Sequence, residues 1–140
     1  MTAKPTFLDE VRQQPEVLER LVCSHGSELQ DRLQAAADLA QSSSLILIVG
    51  MGSSAFAGQI LAQRLNGSGL KAIVCDASEL LHYYQGVLAG DALMLAISQS
   101  GESAETCLAA EARHQGMPLV CVTNNEDSRL GRMDDVVLPL

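Results

Sequence analysis

At 140 residues, 47% of them hydrophobic but only 3% aromatic and none Trp, the chain is one ordinary domain with a core of Leu, Val, Ile and Ala. Its formal net charge of -8 argues against nucleic acid or an anionic membrane surface as the main partner. Cys23, Cys75, Cys107 and Cys121 show no C-x-x-C spacing, and His25, His82 and His114 stand far apart, so no metal site is expected.

The N-terminus, Met1-Thr2-Ala3-Lys4-Pro5, lacks an apolar core, and no stretch is long enough to span a membrane. Three of the four cysteines lie in apolar or helical runs, which suits reduced thiols. A cytoplasmic location without membrane contact is expected. Phe7 to Gln14 reads as a short helix ended by Pro15. Pro15 can equally open a longer helix to about Gln41, with apolar positions Val17-Leu18, Leu21-Val22, Leu29, Leu33, Ala36-Ala37 and Leu39-Ala40 at helical spacing. Ser24-His25-Gly26 is a possible break in it. Residues 1–44 are thus expected to form a helical segment packing on a domain at 45–140.

From Leu45 a regular alternation sets in. Leu45-Ile46-Leu47-Ile48-Val49 is apolar on both faces, as a strand covered on two sides requires. A glycine-rich turn leads to a helix from Ser54 to about Leu65. Asn66-Gly67-Ser68-Gly69 turns into a second strand, Lys71 to Cys75, and Asp76-Ala77-Ser78-Glu79 opens a short helix through Tyr84. Ala92 to Ile97 is the third strand, followed by a polar turn and a helix from Ala104 to about Ala112. Leu119 to Thr123 is the fourth strand. Asn124 to Met133 is a loop with a short helical turn, and Val136-Val137-Leu138 the fifth strand. Strand–helix alternation of this kind predicts an α/β fold, a three-layer αβα sandwich on a five-stranded parallel sheet.

Such sheets bind ligands beyond the carboxyl ends of the strands, where the strand order reverses. In the order 2-1-3-4-5 that point lies between the first and third strands, and each is followed here by a glycine- and serine-rich turn. After the third comes Ser98-Gln99-Ser100-Gly101-Glu102-Ser103, three hydroxyls and a carboxamide at a helix start. Free backbone N–H groups and the helix dipole favour an anion there, so the turn reads as a phosphate cradle. The competing reading is a helix start capped by Ser100. The first turn, Gly50-Met51-Gly52-Ser53-Ser54-Ala55, matches G-x-G-x-x-G/A, and Asp76 ends the second strand where a ribose-binding acid would stand. A dinucleotide does not require the hydroxyls of Ser53 and Ser54 or a second hydroxyl cluster after the third strand. A monophosphate held from both turns explains both, so no cofactor is expected.

Gly50-Met51-Gly52-Ser53-Ser54, Ser98-Gln99-Ser100-Gly101-Glu102-Ser103 and Val122-Thr123-Asn124 resemble the signatures of the sugar isomerase (SIS) domain family. The chain is most similar to the first of two SIS domains in the isomerase half of glucosamine-6-phosphate synthase and its relatives without a glutaminase domain. Asp9-Glu10-Val11-Arg12-Gln13-Gln14-Pro15 resembles that group's opening E-I-x-x-Q-P, and Ala77-Ser78-Glu79 its A-S-E-F.

The resemblance implies a flavodoxin-like SIS fold that binds a sugar phosphate such as fructose 6-phosphate or glucosamine 6-phosphate. By position, Ser98, Gln99, Ser100 and Ser103 would grip the phosphate and nearby hydroxyls, and Gly52, Ser53 and Ser54 the sugar. Met51 stands where the synthase has a cysteine. Glu102 is a candidate general base, although an acid in the first helical turn also stabilises the dipole, the role favoured here. The family's catalytic Lys, Glu and His lie largely in a segment beyond the counterpart of Leu140. The resemblance therefore implies the N-terminal half of an isomerase, aminotransferase-like enzyme or deglycase, expected to form a homodimer, or else a stand-alone phosphosugar sensor. Arg129 and Arg132 are expected at the solvated surface, and His82-Tyr83-Tyr84 either to line the sugar mouth or, the reading preferred here, to pack on the helix layer.

Overall fold

The computed structural model describes residues 6–23, 26–89, 91–133 and 135–139, and the chain divides into two compact units, 1–31 and 32–140. Met1–Pro5 and the possible break at Ser24-His25 lie outside the described residues.

In the first unit, α1 (Phe7–Cys23) starts at a reciprocal cap. The Thr6 N–H and hydroxyl donate to the Asp9 carboxylate at 3.0 and 2.6 Å, and Asp9 N–H donates to the Thr6 hydroxyl at 3.4 Å. These bonds hold the Asp9 carboxyl below its ordinary range. Pro15 lies inside this helix and neither ends nor opens it. Its fixed φ is itself helical, so one backbone bond is forgone and the turns on either side continue. A separate helix, α2 (Ser27–Ser42), follows and runs on into the second unit.

The second unit holds a five-stranded sheet, β1 (Leu45–Gly50), β2 (Ala72–Asp76), β3 (Ala92–Ile97), β4 (Leu119–Thr123) and β5 (Val136–Pro139). All neighbours run parallel, in the order β2-β1-β3-β4-β5. Helices α3 (Ser53–Gly67), α4 (Ala77–Tyr83) and α5 (Ala104–Glu111) are the crossovers, with a short 3-10 helix at Gln85–Ala89 that sequence periodicity does not reveal.

Period-two alternation sends the strand side chains into two cores. Leu47, Val49, Met94, Ala96, Leu119 and Cys121 meet Ala77 and Leu80 of α4 and Cys107, Ala109 and Ala110 of α5. Ile46, Ile48, Leu93, Leu95 and Val120 meet α3 through Ala62, Leu61 and Leu65, and α2 through Ala36, Leu39 and Ala40. The unit is therefore a three-layer αβα sandwich, as the strand–helix alternation requires.

Polar side chains tie the layers at their ends. The Asn66 carboxamide donates to the carbonyls of Ala62 and Ala72 and accepts from Ala72 N–H, joining the end of α3 to β2. Arg113 donates to the carbonyls of Ala110, Met117 and Met133, closing the end of α5 onto the connections flanking β4. Asp76 caps α4, accepting from Ser78 N–H at 3.0 Å and from the Ser78 hydroxyl at 2.6 Å. That hydroxyl bond, with the backbone N–H groups, holds the Asp76 carboxyl below its ordinary range.

Loss of this cap in Asp76→Ala is expected to lower stability by about 1 kcal/mol in urea denaturation near neutral pH. Because folding depresses the carboxyl's pKa, the cap's contribution is present above the unfolded pKa and fades as pH falls through the folded one. The gap between wild type and variant should therefore narrow below about pH 4. An unchanged gap at low pH would contradict the cap.

Candidate functional site

Residue Gly50 at the end of β1 pairs in register with Ile97 at the end of β3, so the two polar turns leave the same sheet edge side by side. The chain then departs to opposite faces, through α3 after β1 and α5 after β3. That divergence opens the crevice of a parallel α/β sheet.

In the first turn Gly52 is the N-cap of α3, at φ 53°, a left-handed conformation that glycine adopts without strain. No side chain caps this helix. Ser53 is exposed and Ser54 half-buried. Met51 is half-buried and packs against the core under α4 and α5.

The second turn is built more tightly. Ser98 is buried, and its hydroxyl oxygen accepts from Gly101 N–H at 3.1 Å. Gln99 and Ser100 are exposed, and the Ser100 hydroxyl accepts from Glu102 N–H at 3.2 Å. The N-cap of α5 is Ser103 rather than Ser100, and no side chain caps that helix either. The Ser103 hydroxyl accepts instead from the Thr106 hydroxyl at 3.1 Å. Ser100 accepts within the turn that precedes the helix, so it is not the N-cap expected as the alternative to a cradle.

Gly101 sits at φ 68°, and a Cβ there would come within 1.9 Å of the Ser128 hydroxyl oxygen. Only glycine satisfies both the backbone angle and that close approach. The turn rests on the segment after β4. Gln99 carbonyl accepts from Asn124 N–H at 2.9 Å and from the Thr123 hydroxyl at 3.3 Å. Gly101 carbonyl accepts from Leu130 N–H at 3.0 Å and from the Cys107 thiol at 3.4 Å, and burial raises that thiol's pKa. Sequence reasoning saw Thr123-Asn124 only as a signature; what it missed was the underside of the turn.

Glu102 precedes the Ser103 N-cap and so stands outside the helical turn where its dipole role was expected; it is exposed, and its carboxylate accepts from Arg129 N–H at 2.8 Å. The Arg129 side chain is also exposed, but it pairs with Glu111 through Nε at 3.0 Å and a terminal nitrogen at 2.7 Å. Asp76, the acid of the dinucleotide pattern, is engaged as the cap of α4. Tyr83 and Tyr84 are 78% and 52% exposed, so they do not pack into the helix layer as expected. Their helix is only two turns long and buries its other side through Ala77 and Leu80.

Neither turn carries a Lys, Arg or His. An anion in the crevice would therefore meet backbone N–H groups, hydroxyls and two helix dipoles rather than a cationic side chain. Among the described residues no cluster of His, Cys, Asp or Glu is placed to hold a metal, and no helix is long and apolar enough to cross a membrane.

A profile of the SIS domain matches residues 38–140, and the chain belongs to that family. It is 33% identical over 136 residues to a glutamine–fructose-6-phosphate aminotransferase (isomerizing) of Pyrococcus horikoshii, a match covering 94% of this chain and 22% of the relative. It is 32% identical over 94 residues to the arabinose 5-phosphate isomerase KdsD of Shigella flexneri, covering 66% of this chain and 29% of that one. Among solved structures, the Vibrio vulnificus NanR protein complexed with ManNAc-6P superposes with a TM-score of 0.71 at 27% identity, over 79% of this chain and 42% of that chain. The chain thus spans only about a quarter of the length of these two enzymes.

Proposed function

We propose that the chain is a phosphosugar-binding domain whose ligand's phosphate sits between the turns after β1 and β3. The observation that carries this reading is that α3 and α5 both begin at these adjoining turns without a side-chain cap. Uncapped first-turn N–H groups at two helix starts favour a multiply charged anion more than one start alone. In this reading Ser98, Gln99, Ser100 and Ser103 line the phosphate, with Ser98 acting mainly by shaping the turn. Gly52, Ser53 and Ser54 face the sugar. Met51 is withdrawn from it, in keeping with its packing against the core.

The ligand is a hexose 6-phosphate of the fructose or glucosamine type. This choice is supported by the fructose-6-phosphate of one relative's name and the ManNAc-6P bound by the structural neighbour. In the cell the domain would serve a cytoplasmic isomerase, aminotransferase-like enzyme or deglycase as its binding half. Proton transfer would be completed by groups outside residues 1–140, and the protein would act as a homodimer.

Thermal denaturation with fructose 6-phosphate, glucosamine 6-phosphate, inorganic phosphate and NAD, each alone, tests this. A ligand at about 100 times its dissociation constant adds about 2.7 kcal/mol to stability. A clear rise in midpoint is expected with a sugar phosphate and none with NAD. The rise should disappear in a Ser98→Ala/Ser100→Ala double variant. Stabilisation by NAD alone, or by a sugar phosphate equally in the double variant, would overturn the reading.

A further inference from the structure

A carboxylate in the middle of a phosphate turn is electrostatically out of place. Two like charges a few ångströms apart repel, and the penalty grows as water is excluded. Glu102 occupies that position, between Gly101 and Ser103. Its surroundings show what holds it. Its carboxylate accepts from Arg129 N–H at 2.8 Å, and the next N–H along, that of Leu130, donates to Gly101 carbonyl at 3.0 Å.

Two successive residues of the turn therefore bind two successive amides of the segment between β4 and β5. Leu130 is fully buried, and Ser128 fills the space beside Gly101 where a Cβ would sit. On the far side the Arg129 guanidinium reaches Glu111 on α5, with Glu102 acting on it electrostatically as well.

We propose that Glu102 is a positioning residue for the site: it latches the segment after β4 to the phosphate turn and so keeps its own charge on Arg129 N–H. The inference rests on the phosphate reading above. It assigns Glu102 no proton transfer. The chemistry the latch requires is an acceptor oxygen at the Arg129 amide, which a carboxamide also supplies. A general base requires a titrating carboxylate, which a carboxamide is not. The two roles therefore separate on one substitution.

The experiment compares wild type, Glu102→Gln and Glu102→Ala by two measurements. One is amide hydrogen exchange at Arg129 and Leu130 in the free protein. The other is the dissociation constant for fructose 6-phosphate and for inorganic phosphate by calorimetry. A lost hydrogen bond to a charged group is worth enough to expect Glu102→Ala to exchange about ten-fold faster at Arg129 and to bind about five-fold more weakly. Glu102→Gln should restore both to within about two-fold of wild type, since its amide oxygen replaces the acceptor.

Equal behaviour of the two variants in both measurements would overturn the latch. So would several-fold tighter binding by Glu102→Gln, which would place the carboxylate's charge on the ligand instead. Unchanged exchange at Arg129 in Glu102→Ala would do the same. If wild type binds neither phosphate compound, the phosphate reading fails and the exchange measurement alone decides the latch.

Discussion

The pairing of Gly50 with Ile97 is the constraint on which the site depends. Parallel register brings the ends of β1 and β3 level, and the right-handed crossovers that follow must leave on opposite faces, because α3 covers one core and α5 the other. Between two diverging helices there is a crevice, and both first turns of N–H groups border it. Attraction for an anion at that edge would come from main-chain geometry. That is how a chain with a net charge of -8 and no cation in either turn can offer a place to an anion.

The two turns are not equivalent. The first is short and open, set by Gly52 and leading directly into an exposed α3 start. The second is supported from below by β4 and the residues after it, through bonds to Gln99, Gly101 and Glu102 and through the contact of Ser128 with Gly101. A ligand group needing a fixed array of donors is best met by the second turn, and a variable sugar ring by the first. The preorganisation sits where the common chemical feature of the relatives' ligands, a phosphate, would bind.

Much of this was legible in the residues because strand pattern and turn composition are local. Ala92–Ile97 and Leu119–Thr123 are unbroken apolar runs between turn residues, and the structure places strands with those same bounds. The strand order 2-1-3-4-5, assumed as one common to doubly wound sheets, is the order observed. Pro15 misled because proline is only a local breaker: its φ fits a helix, and α1 runs on through it. The support beneath Gly101 and the bond from Arg129 N–H to Glu102 join residues 27 to 29 apart in sequence, a relation no periodicity encodes. Ser103 in place of Ser100 as the N-cap, and the pairing of Arg129, exposed as expected, with Glu111, are details of the same non-local or fine-grained kind.

The most direct measurement of the central claim is an amide proton–nitrogen NMR titration with fructose 6-phosphate. Hydrogen bonding to a phosphate shifts the donor amides downfield. The largest shifts are expected at residues 52–55 and 99–105 together, with little change along the strands or at the opposite sheet edge. Shifts confined to one turn, or centred away from both, would contradict a phosphate held between the ends of β1 and β3.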